Sequence, residues 1–186
     1  MRIIAGNLRG KKLYAPTGLE TRPTADRLRE AIFNIIAPVV RNAEVLDLFA
    51  GTGACALEAL SRGATSAVMI DKARAALALL KRNIAACRLE QRATALRWDI
   101  VQNLHCLSLR DISRPFNLVF ADPPYNRNCI RPTLANLSRS SALAPEARVV
   151  IEHSPSESIP ADLQGYALID QRRYGKSLVS FLISVV

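Results

Sequence analysis

The sequence predicts a doubly wound, Rossmann-like α/β fold with a mostly parallel sheet of seven strands covered by helices on both faces. Three observations predict it. From residue 44 to residue 153, short apolar runs alternate with stretches whose apolar residues recur at helical spacing. A glycine-rich turn joins the first of these strands to the first helix. At the carboxyl end, only Gly175 and Lys176 separate two strand-like runs, which leaves no room for a crossover helix.

The alternating region begins with a strand, a tight turn and a helix. EVLDLF (44–49) is an apolar run that ends in the glycine turn, and ACALEALSRG (54–63) continues with helical spacing. The later elements, in order, are a strand at 66–71, a helix at 72–88, a strand at 93–98, a helical stretch near 101–110, a strand at 117–121, a helical stretch near 129–139 and a strand at 147–153. Right-handed crossovers between parallel strands make this a doubly wound sheet.

Both ends of the chain depart from the alternation. YALIDQRRY and SLVSFLISV predict an antiparallel hairpin on the sheet edge. RIIAG and KKLYAP predict a short β-hairpin at the amino end, and TADRLREAIFNII (24–36) predicts a helix capped by Thr24. We therefore expect a single domain over 1–186, with an extension at 1–40 and a Rossmann-like core at 41–186.

Composition is typical of a globular protein, because 49% of the residues are hydrophobic and 22% are charged. The chain has 25 Lys and Arg residues against 16 Asp and Glu residues, a net charge of +9. This excess favours a polyanionic partner, first of all nucleic acid, although the basic surface of an ordinary soluble protein explains the charge equally well.

The basic residues cluster near the amino end and again in apparent loops toward the carboxyl end, where Arg172 and Arg173 also lie. A solvated helix face explains Arg27 and Arg29 equally well. The candidates for RNA contact are Arg2, Arg9, Lys11, Lys12, Arg22, Arg127, Arg131 and Lys176.

The cysteines favour neither a zinc site nor a disulfide framework. Cys55, Cys87, Cys106 and Cys129 are widely spaced, and the chain has only two histidines. We expect free, mostly buried thiols, which are typical of a reducing compartment. The amino end lacks the apolar region of a secretory signal, and the apolar tail is too short to span a bilayer. These features predict a soluble cytoplasmic protein without a metal or a membrane partner.

The turn DLFAGTGA indicates a cofactor site. Without side chains, Gly51 and Gly53 allow unusual dihedral angles and a close approach of the backbone to a ligand. Asp71, at the end of the second strand, lies at the right distance along the chain to accept hydrogen bonds from ribose hydroxyls. At this point both NAD and S-adenosylmethionine remain possible.

Two further carboxylates favour S-adenosylmethionine, which presents a sulfonium, an amino group and an adenine amine to acceptors. Asp47 precedes the glycine turn and could hold the amino group through water, and Asp99 follows the third strand and could accept from adenine N6. Each aspartate alone is equally well explained as a strand-end or helix-cap carboxylate. The full set of cofactor candidates is Asp47, Phe49, Gly51, Thr52, Gly53, Asp71, Lys72, Asp99, Ile100 and Thr24.

The tetrapeptide Asp122-Pro123-Pro124-Tyr125 follows the fourth strand, and ligands of doubly wound folds bind at the carboxyl ends of the strands. An exocyclic amine on a nucleobase is a poor nucleophile, so its methylation needs acceptors that hold its hydrogens; Asp122 and the Pro123 carbonyl can serve. The prolines fix the loop, and Tyr125 offers a stacking face for an unstacked base. A rigid turn with a half-buried tyrosine is the simpler alternative, but it does not explain why the motif coincides with the glycine turn.

These motifs resemble those of class I S-adenosylmethionine-dependent methyltransferases, and the terminal hairpin matches their antiparallel last strand. MRIIAG, RPTADRLREAIFNII, the DLFAGTGA segment and DPPY together resemble the RsmD family over essentially the whole chain. The resemblance implies methylation of guanine N2 in 16S ribosomal RNA of an assembling or assembled small subunit. It also implies that Arg22, Pro23 and Thr24 help to close the cofactor or target pocket.

Two departures from the family pattern bear on cofactor affinity. Asp71 stands where glutamate is more usual, and RWDI lacks a glycine often found before the acid. Aspartate at position 122 fits guanine, whose N1–H and N2–H are adjacent donors. His105 and His153 are expected on a helix surface and at a strand end, without a catalytic role.

The alternatives are methylation of adenine N6 or of a protein glutamine amide, a noncatalytic RNA-binding assembly factor, and a nicotinamide oxidoreductase. The last is disfavoured because nothing in the sequence supplies hydride-transfer partners. We expect a monomer.

Overall fold

The computed structural model describes residues 1–16, 23–108, 115–162 and 165–185. For Pro23 and Thr24 it describes the backbone only. Its centre is a seven-stranded sheet in the order β3-β2-β1-β4-β5-β7-β6. The strands are β1 (Glu44–Leu48), β2 (Ser66–Asp71), β3 (Ala93–Arg97), β4 (Phe116–Ala121), β5 (Leu143–His153), β6 (Tyr166–Tyr174) and β7 (Ser177–Ser184). The helices are α1 (Pro23–Ile35), α2 (Ala37–Val40), α3 (Ala54–Ser61), α4 (Arg74–Cys87), α5 (His105–Ser108) and α6 (Ile130–Arg139).

The sheet has the predicted doubly wound topology. Strands β1 to β5 pair in parallel, and β7 runs antiparallel between β5 and β6. The carboxyl hairpin therefore lies on the sheet edge, as predicted, with β6 outermost. Strand order reverses between β1 and β4, and such a switch point opens a crevice at the carboxyl ends of the strands.

Two apolar clusters, one on each face of the sheet, form the core. Because β1 is covered on both faces, Val45 and Leu46 point into different clusters and both are fully buried. The amino-terminal residues Ile3 and Phe33 belong to the same cluster as Met69, which places the extension against one face of the sheet.

The amino-terminal hairpin is smaller than predicted, with a single antiparallel bridge between Arg2 and Lys12. The amides of Ile4 and Ala5 donate instead to the carboxylate of Glu58 on α3, at 2.7 and 3.0 Å. Because Glu58 takes these donors, they cannot extend a ladder.

Helix α1 begins at Pro23, so Thr24 lies inside its first turn and the prediction that Thr24 caps the helix is wrong. Proline suits the first helical position because that residue needs no intrahelical donor. The predicted solvated face is also wrong in part: Arg27 is exposed, but Arg29 is only 5% exposed and pairs with Asp26 at 2.9 Å.

The helix predicted near 101–110 is a single turn, α5, within the residues that the structure describes. The side chains of Asp99 and Asn103 accept from the amides of Val101 and His105, and such local bonds compete with helical ones. Strand β5 begins at Leu143, four residues before the predicted start, and reaches its regular register only after an irregularity in its pairing with β4.

The four cysteines are free, and all but the partly exposed Cys55 are buried, as predicted. His105 is exposed at the start of α5, and His153 is fully buried at the end of β5, where its ring nitrogens contact Ser154 and Ser180. In the described ranges no helix has the length and apolar character needed to cross a membrane.

Candidate active site

The predicted site residues meet at the carboxyl rim of the sheet, where β1 and β4 lie side by side. Strand β1 leads into the glycine turn and β4 leads into the DPPY tetrapeptide. The amide of Asp122 donates to the carbonyl of Leu48 at 3.3 Å. The tetrapeptide therefore begins directly beside the glycine turn, as the sequence predicts.

The glycine turn is held in an unusual backbone conformation. Phe49, Gly51 and Gly53 have positive φ angles of 60°, 53° and 76°. The Ala50 amide donates to the Ile70 carbonyl at 3.0 Å, which fixes the turn to β2. A bulky residue such as Phe49 at positive φ is strained, and such strain often marks a functional turn.

The two glycines have different reasons to be glycine. A Cβ at Gly51 would meet only the Phe49 carbonyl oxygen, at 3.9 Å, so the space above Gly51 is open to a ligand. A Cβ at Gly53 would approach the Met69 sulfur and the Leu80 Cδ2 to 2.8 Å. A side chain at Gly53 would therefore clash with the protein's own core.

Asp47 is buried below the turn, with 5% of its surface exposed. Its carboxylate accepts from the Ala56 amide at 3.2 Å, near the start of α3. Burial is the main cause that raises the pKa of Asp47 to about 7, and the nearby charge of Asp71 adds to it. A cationic group bound above the turn would favour the ionised form.

Asp71 and Asp99 follow neighbouring strands on the β2 and β3 side of the turn. Asp71 accepts from the amides of Gly51 and Ala73, at 3.0 and 2.9 Å, and Asp99 accepts from Val101 at 3.2 Å. A carboxylate has about four acceptor positions, so both side chains keep capacity for a ligand.

The donors and acceptors on this rim fit S-adenosylmethionine. Between Asp99 and Asp122 the rim runs along the ends of β3, β2, β1 and β4. The width of these four neighbouring strands is about 14 Å at the usual strand spacing. Of the other cofactor candidates, Lys72 is exposed beside Asp71, Ile100 is 2% exposed beside Asp99, and Thr52 lies in the turn. Asp47 and the open space above Gly51 suit an amino acid group.

Tyr125 is fixed by a hydrogen-bonded triad with Glu152 on β5 and Ser177 on β7. Its hydroxyl donates to Glu152 Oε1 at 2.7 Å and lies 2.8 Å from Ser177 Oγ, which itself donates to Glu152 at 2.9 Å. Burial and the neighbouring carboxylate raise the pKa of Tyr125, which keeps the hydroxyl protonated. Tyr125 is 37% exposed, so the side chain that these bonds hold in place remains open to a partner.

Asp122 lies close to two other carboxylates. Surrounding protein limits its hydration, and the negative charges of Glu152 and Asp47 add repulsion, so the pKa of Asp122 is raised above its ordinary range. The side chain still reaches solvent, and water weakens this shift. The cluster attracts cations and groups that donate hydrogen bonds.

Two asparagines shape the loop after the tetrapeptide. Asn126 and Asn128 have φ angles of 58° and 54°, in the left-handed region that asparagine tolerates. The Ser156 hydroxyl donates to Asn126 Oδ1 at 2.7 Å, and Ser156 is tied in turn to Ser154. Pro123 is buried and Pro124 is exposed, so the loop is anchored on one side only.

The predicted RNA contacts fall into three groups. The amino-terminal extension exposes Arg2, Arg9, Lys11 and Lys12. Arg127 is exposed shortly after Tyr125 in the chain, and Lys176 is exposed in the turn between β6 and β7. Arg131 forms a two-bond pair with Asp162, at 2.8 and 3.1 Å, so its charge is already partnered. Arg22 and the side chain of Thr24 lie outside the described residues.

The sequence reasoning missed Glu152 and Ser177. A signal was available for Glu152, which is a lone acid in the apolar strand RVVIEH, at the end facing the carboxyl rim. No comparable signal pointed to Ser177, because only the pairing of β7 beside β5 brings it to the rim.

The sequence of this chain is similar to those of known proteins along most of its length. A family model described as "Conserved hypothetical protein 95" matches residues 1–183. The chain belongs to this family. The Escherichia coli protein named ribosomal RNA small subunit methyltransferase D is 37% identical over 176 residues, which cover 95% of this chain and 86% of that protein. The protein of the same name from Haemophilus influenzae is 33% identical and covers 82% of this chain and 78% of its own length.

The structural comparison agrees. The solved structure of the Escherichia coli protein yhhF, named as a putative methyltransferase, superposes with a TM-score of 0.84 at 34% identity, over 100% of this chain and 98% of that one. The resemblance to the RsmD family and the class I methyltransferase fold are therefore confirmed, and the matches agree with the predicted S-adenosylmethionine cofactor.

Proposed function

We propose that this chain transfers a methyl group from S-adenosylmethionine to the exocyclic N2 amine of a guanine in 16S ribosomal RNA of the small subunit. The observation that carries the proposal is the contact between Asp122 and Leu48, which joins the DPPY tetrapeptide to the end of β1. It brings acceptors for an amine and the glycine turn to one crevice. The names of the relatives, ribosomal RNA small subunit methyltransferases, support RNA as the substrate.

The cofactor would be held along the rim by side chains and turn atoms with separate tasks. Asp99 accepts from the adenine amine, Asp71 from the ribose hydroxyls, and Asp47 holds the amino group through water. Gly51 leaves room for close approach of the backbone. When bound, S-adenosylmethionine supplies a methyl carbon activated by its sulfonium, which leaves as the neutral thioether.

Asp122 and the Pro123 carbonyl accept the hydrogens of the target amine and aim its lone pair along the line of attack. A nitrogen–carbon bond forms as the carbon–sulfur bond breaks, and the amine then releases one proton to solvent or to Asp122. Because the reacting groups are held in place before reaction, most of the rate enhancement comes from positioning. Donor groups of the bound base favour the ionised form of Asp122, which can then receive that proton.

Tyr125 provides the stacking face for the guanine, and Glu152 and Ser177 fix the orientation of the ring. An ionised carboxylate at position 122 can accept from guanine N1–H and N2–H together, whereas adenine presents a donor beside an acceptor. This pairing is the basis for choosing guanine over adenine N6. We place the reaction in the cytoplasm and expect the chain to act as a monomer.

The test is methyl transfer to small subunits from cells that lack the enzyme, with labelled cofactor and mass analysis of the resulting nucleosides. We expect label in N2-methylguanosine of 16S RNA, and we expect Asp122→Asn to lower the rate by about a hundredfold. Label in N6-methyladenosine or in a protein glutamine would reassign the substrate. An Asp122→Ala variant that leaves the cellular effect intact would favour the noncatalytic assembly factor.

A further inference from the structure

An exposed tyrosine, Tyr14, lies on the amino-terminal extension. Tyr14 is 43% exposed, although the preceding residue, Leu13, is 6% exposed and belongs to the core. Burying Leu13 fixes the backbone beneath Tyr14 and directs the ring of Tyr14 outward. The mechanism proposed above gives Tyr14 no task.

Asn83 on α4 locks the Tyr14 backbone from both sides. Its Oδ1 accepts from the Tyr14 amide at 2.8 Å, and its Nδ2 donates to the Tyr14 carbonyl at 3.0 Å. The same Nδ2 donates to the Thr52 carbonyl in the glycine turn, at 2.9 Å. Asn83 is fully buried, so Tyr14 is held rigidly beside the turn that we propose for the cofactor.

Arg82, the neighbour of Asn83 on α4, covers one face of the ring. Its guanidinium carbon lies 3.5 Å from the centre of the Tyr14 ring. Such a pair presents an aromatic plane together with positive charge. Lys11, Lys12 and Lys81 are exposed on the same two segments, which adds charge suited to a phosphate backbone.

We propose that Tyr14, backed by Arg82, is a second stacking platform that takes an unpaired base of the RNA outside the catalytic crevice. This inference rests on the proposed function for its substrate class and adds a recognition surface to it. A fixed aromatic ring, a cation behind it and lysines alongside are the parts that single-stranded RNA needs, because every base has a face to stack. The ring is already ordered, so binding costs little conformational freedom.

The competing explanation is that Tyr14 and Arg82 only fasten the extension to α4. Asn83 already makes that connection through the backbone of Tyr14, which any side chain at position 14 would preserve. Tyr14→Leu therefore keeps the fastening and removes the aromatic face, and Tyr14→Phe is the matched control that retains the face.

The experiment measures binding of a labelled, unstructured RNA of about ten nucleotides to the full chain, with S-adenosylhomocysteine present. We expect Tyr14→Leu to weaken binding about tenfold and Tyr14→Phe to change it less than about twofold, the effect of one lost base stack. The melting temperature and the affinity for S-adenosylhomocysteine should stay at wild-type values. Equal binding by Tyr14→Leu and wild type, or equal losses in the Leu and Phe variants, would overturn the proposal.

A second measurement does not depend on any variant folding. Iodouridine-substituted RNA, irradiated on the wild-type protein, should crosslink to Tyr14, as mapped by mass spectrometry of the peptides. Crosslinks confined to other residues would contradict the proposal. Neither readout needs methyl transfer, so a protein that binds RNA at Tyr14 but transfers no methyl group would refute the proposed activity alone.

Discussion

At the scale of single residues, the proposed site contains carboxylates whose pKa values the fold raises. Burial raises the pKa of Asp47 to about 7, so in the free protein below that pH the side chain carries a proton. In the proposed function the amino group of S-adenosylmethionine favours the ionised carboxylate of Asp47. That role predicts that binding at low pH releases the proton, so that affinity falls as the pH drops.

We expect the affinity of wild type for S-adenosylmethionine to fall by up to about tenfold for each pH unit below 7. Asp47→Asn carries no titrating group there, so it should bind more weakly near neutral pH and lack this dependence. Calorimetric titration of both proteins between pH 5.5 and pH 8 makes the comparison, with those limits set at roughly one unit or more on either side of the transition. Parallel curves for the two proteins would remove Asp47 from cofactor binding.

Two substitutions at Tyr125 separate the contribution of ring stacking to catalysis from that of the hydroxyl's hydrogen bonds. Tyr125→Phe keeps the ring but loses the bonds to Glu152 and Ser177, so we expect a loss in kcat/KM for RNA of less than about tenfold. Tyr125→Ala also loses the stack, and kcat/KM should fall by a further tenfold or so. Cofactor affinity should be near normal in both variants. If Tyr125→Ala abolishes cofactor binding, the ring contacts the cofactor and our placement of the base is wrong.

At the scale of elements, the glycine turn has one glycine in open space, Gly51, and one packed against the core, Gly53. Gly53→Ala forces a Cβ to within 2.8 Å of the Met69 sulfur and the Leu80 Cδ2, so we expect the free energy of unfolding to fall by about 1–3 kcal/mol. Gly51→Ala meets open space and should cost about 1 kcal/mol, from its positive φ alone. Urea denaturation measures both changes.

The same two variants should differ in their affinity for S-adenosylmethionine. Gly51→Ala should weaken S-adenosylmethionine binding more than its small loss of stability suggests, whereas Gly53→Ala should bind near normally once folded. If Gly53→Ala has the same free energy of unfolding as wild type, the core relaxes around the new methyl group and the predicted clash is wrong.

The elements also show what sequence can and cannot predict. The alternation and the turns were enough for β2 and β6, whose predicted bounds agree with the structure, and for the antiparallel hairpin at the sheet edge. The described part of the helix predicted near 101–110 is short because Asp99 and Asn103 bond locally to the backbone, an effect that apolar spacing does not register. The amino-terminal hairpin is smaller than predicted because Glu58, more than fifty residues away in sequence, takes the amide donors of Ile4 and Ala5.

Some residues of the candidate site could likewise be predicted from the sequence, and others could not. Asp47, Asp71 and Asp122 each follow or lie in one strand, so a local motif was enough to find them. Glu152 and Ser177 contribute through the pairing of β5 with β7, which depends on the whole sheet. The packing role of Gly53 was also out of reach, because the contacts that require it come from Leu80 on α4 and Met69 on β2.

At the scale of the whole molecule, the net charge of +9 makes RNA affinity depend on salt. Each lysine or arginine that contacts a phosphate should contribute about one unit to the slope of log affinity against log salt. Lys12 is exposed on the extension, whereas Arg131 is held by Asp162. We expect Lys12→Ala to reduce the slope by about one and Arg131→Ala to reduce it less.

Binding titrations across a salt series, on subunits or on isolated RNA, give these slopes. Lys176→Ala, on the β6–β7 turn, serves as a comparison because that lysine is also exposed. A larger slope change for Arg131→Ala than for Lys12→Ala would show that RNA displaces Asp162 from Arg131.

The central claim is that the cofactor's sulfur and the target amine meet above the rim formed by β1 and β4. A crystal structure of the chain with S-adenosylhomocysteine tests it most directly. We predict the adenine beside Asp99, the ribose hydroxyls on Asp71, and the sulfur facing Asp122 across the open space above Gly51. Adenosyl density bound away from Asp122, with the glycine turn empty, would contradict the account.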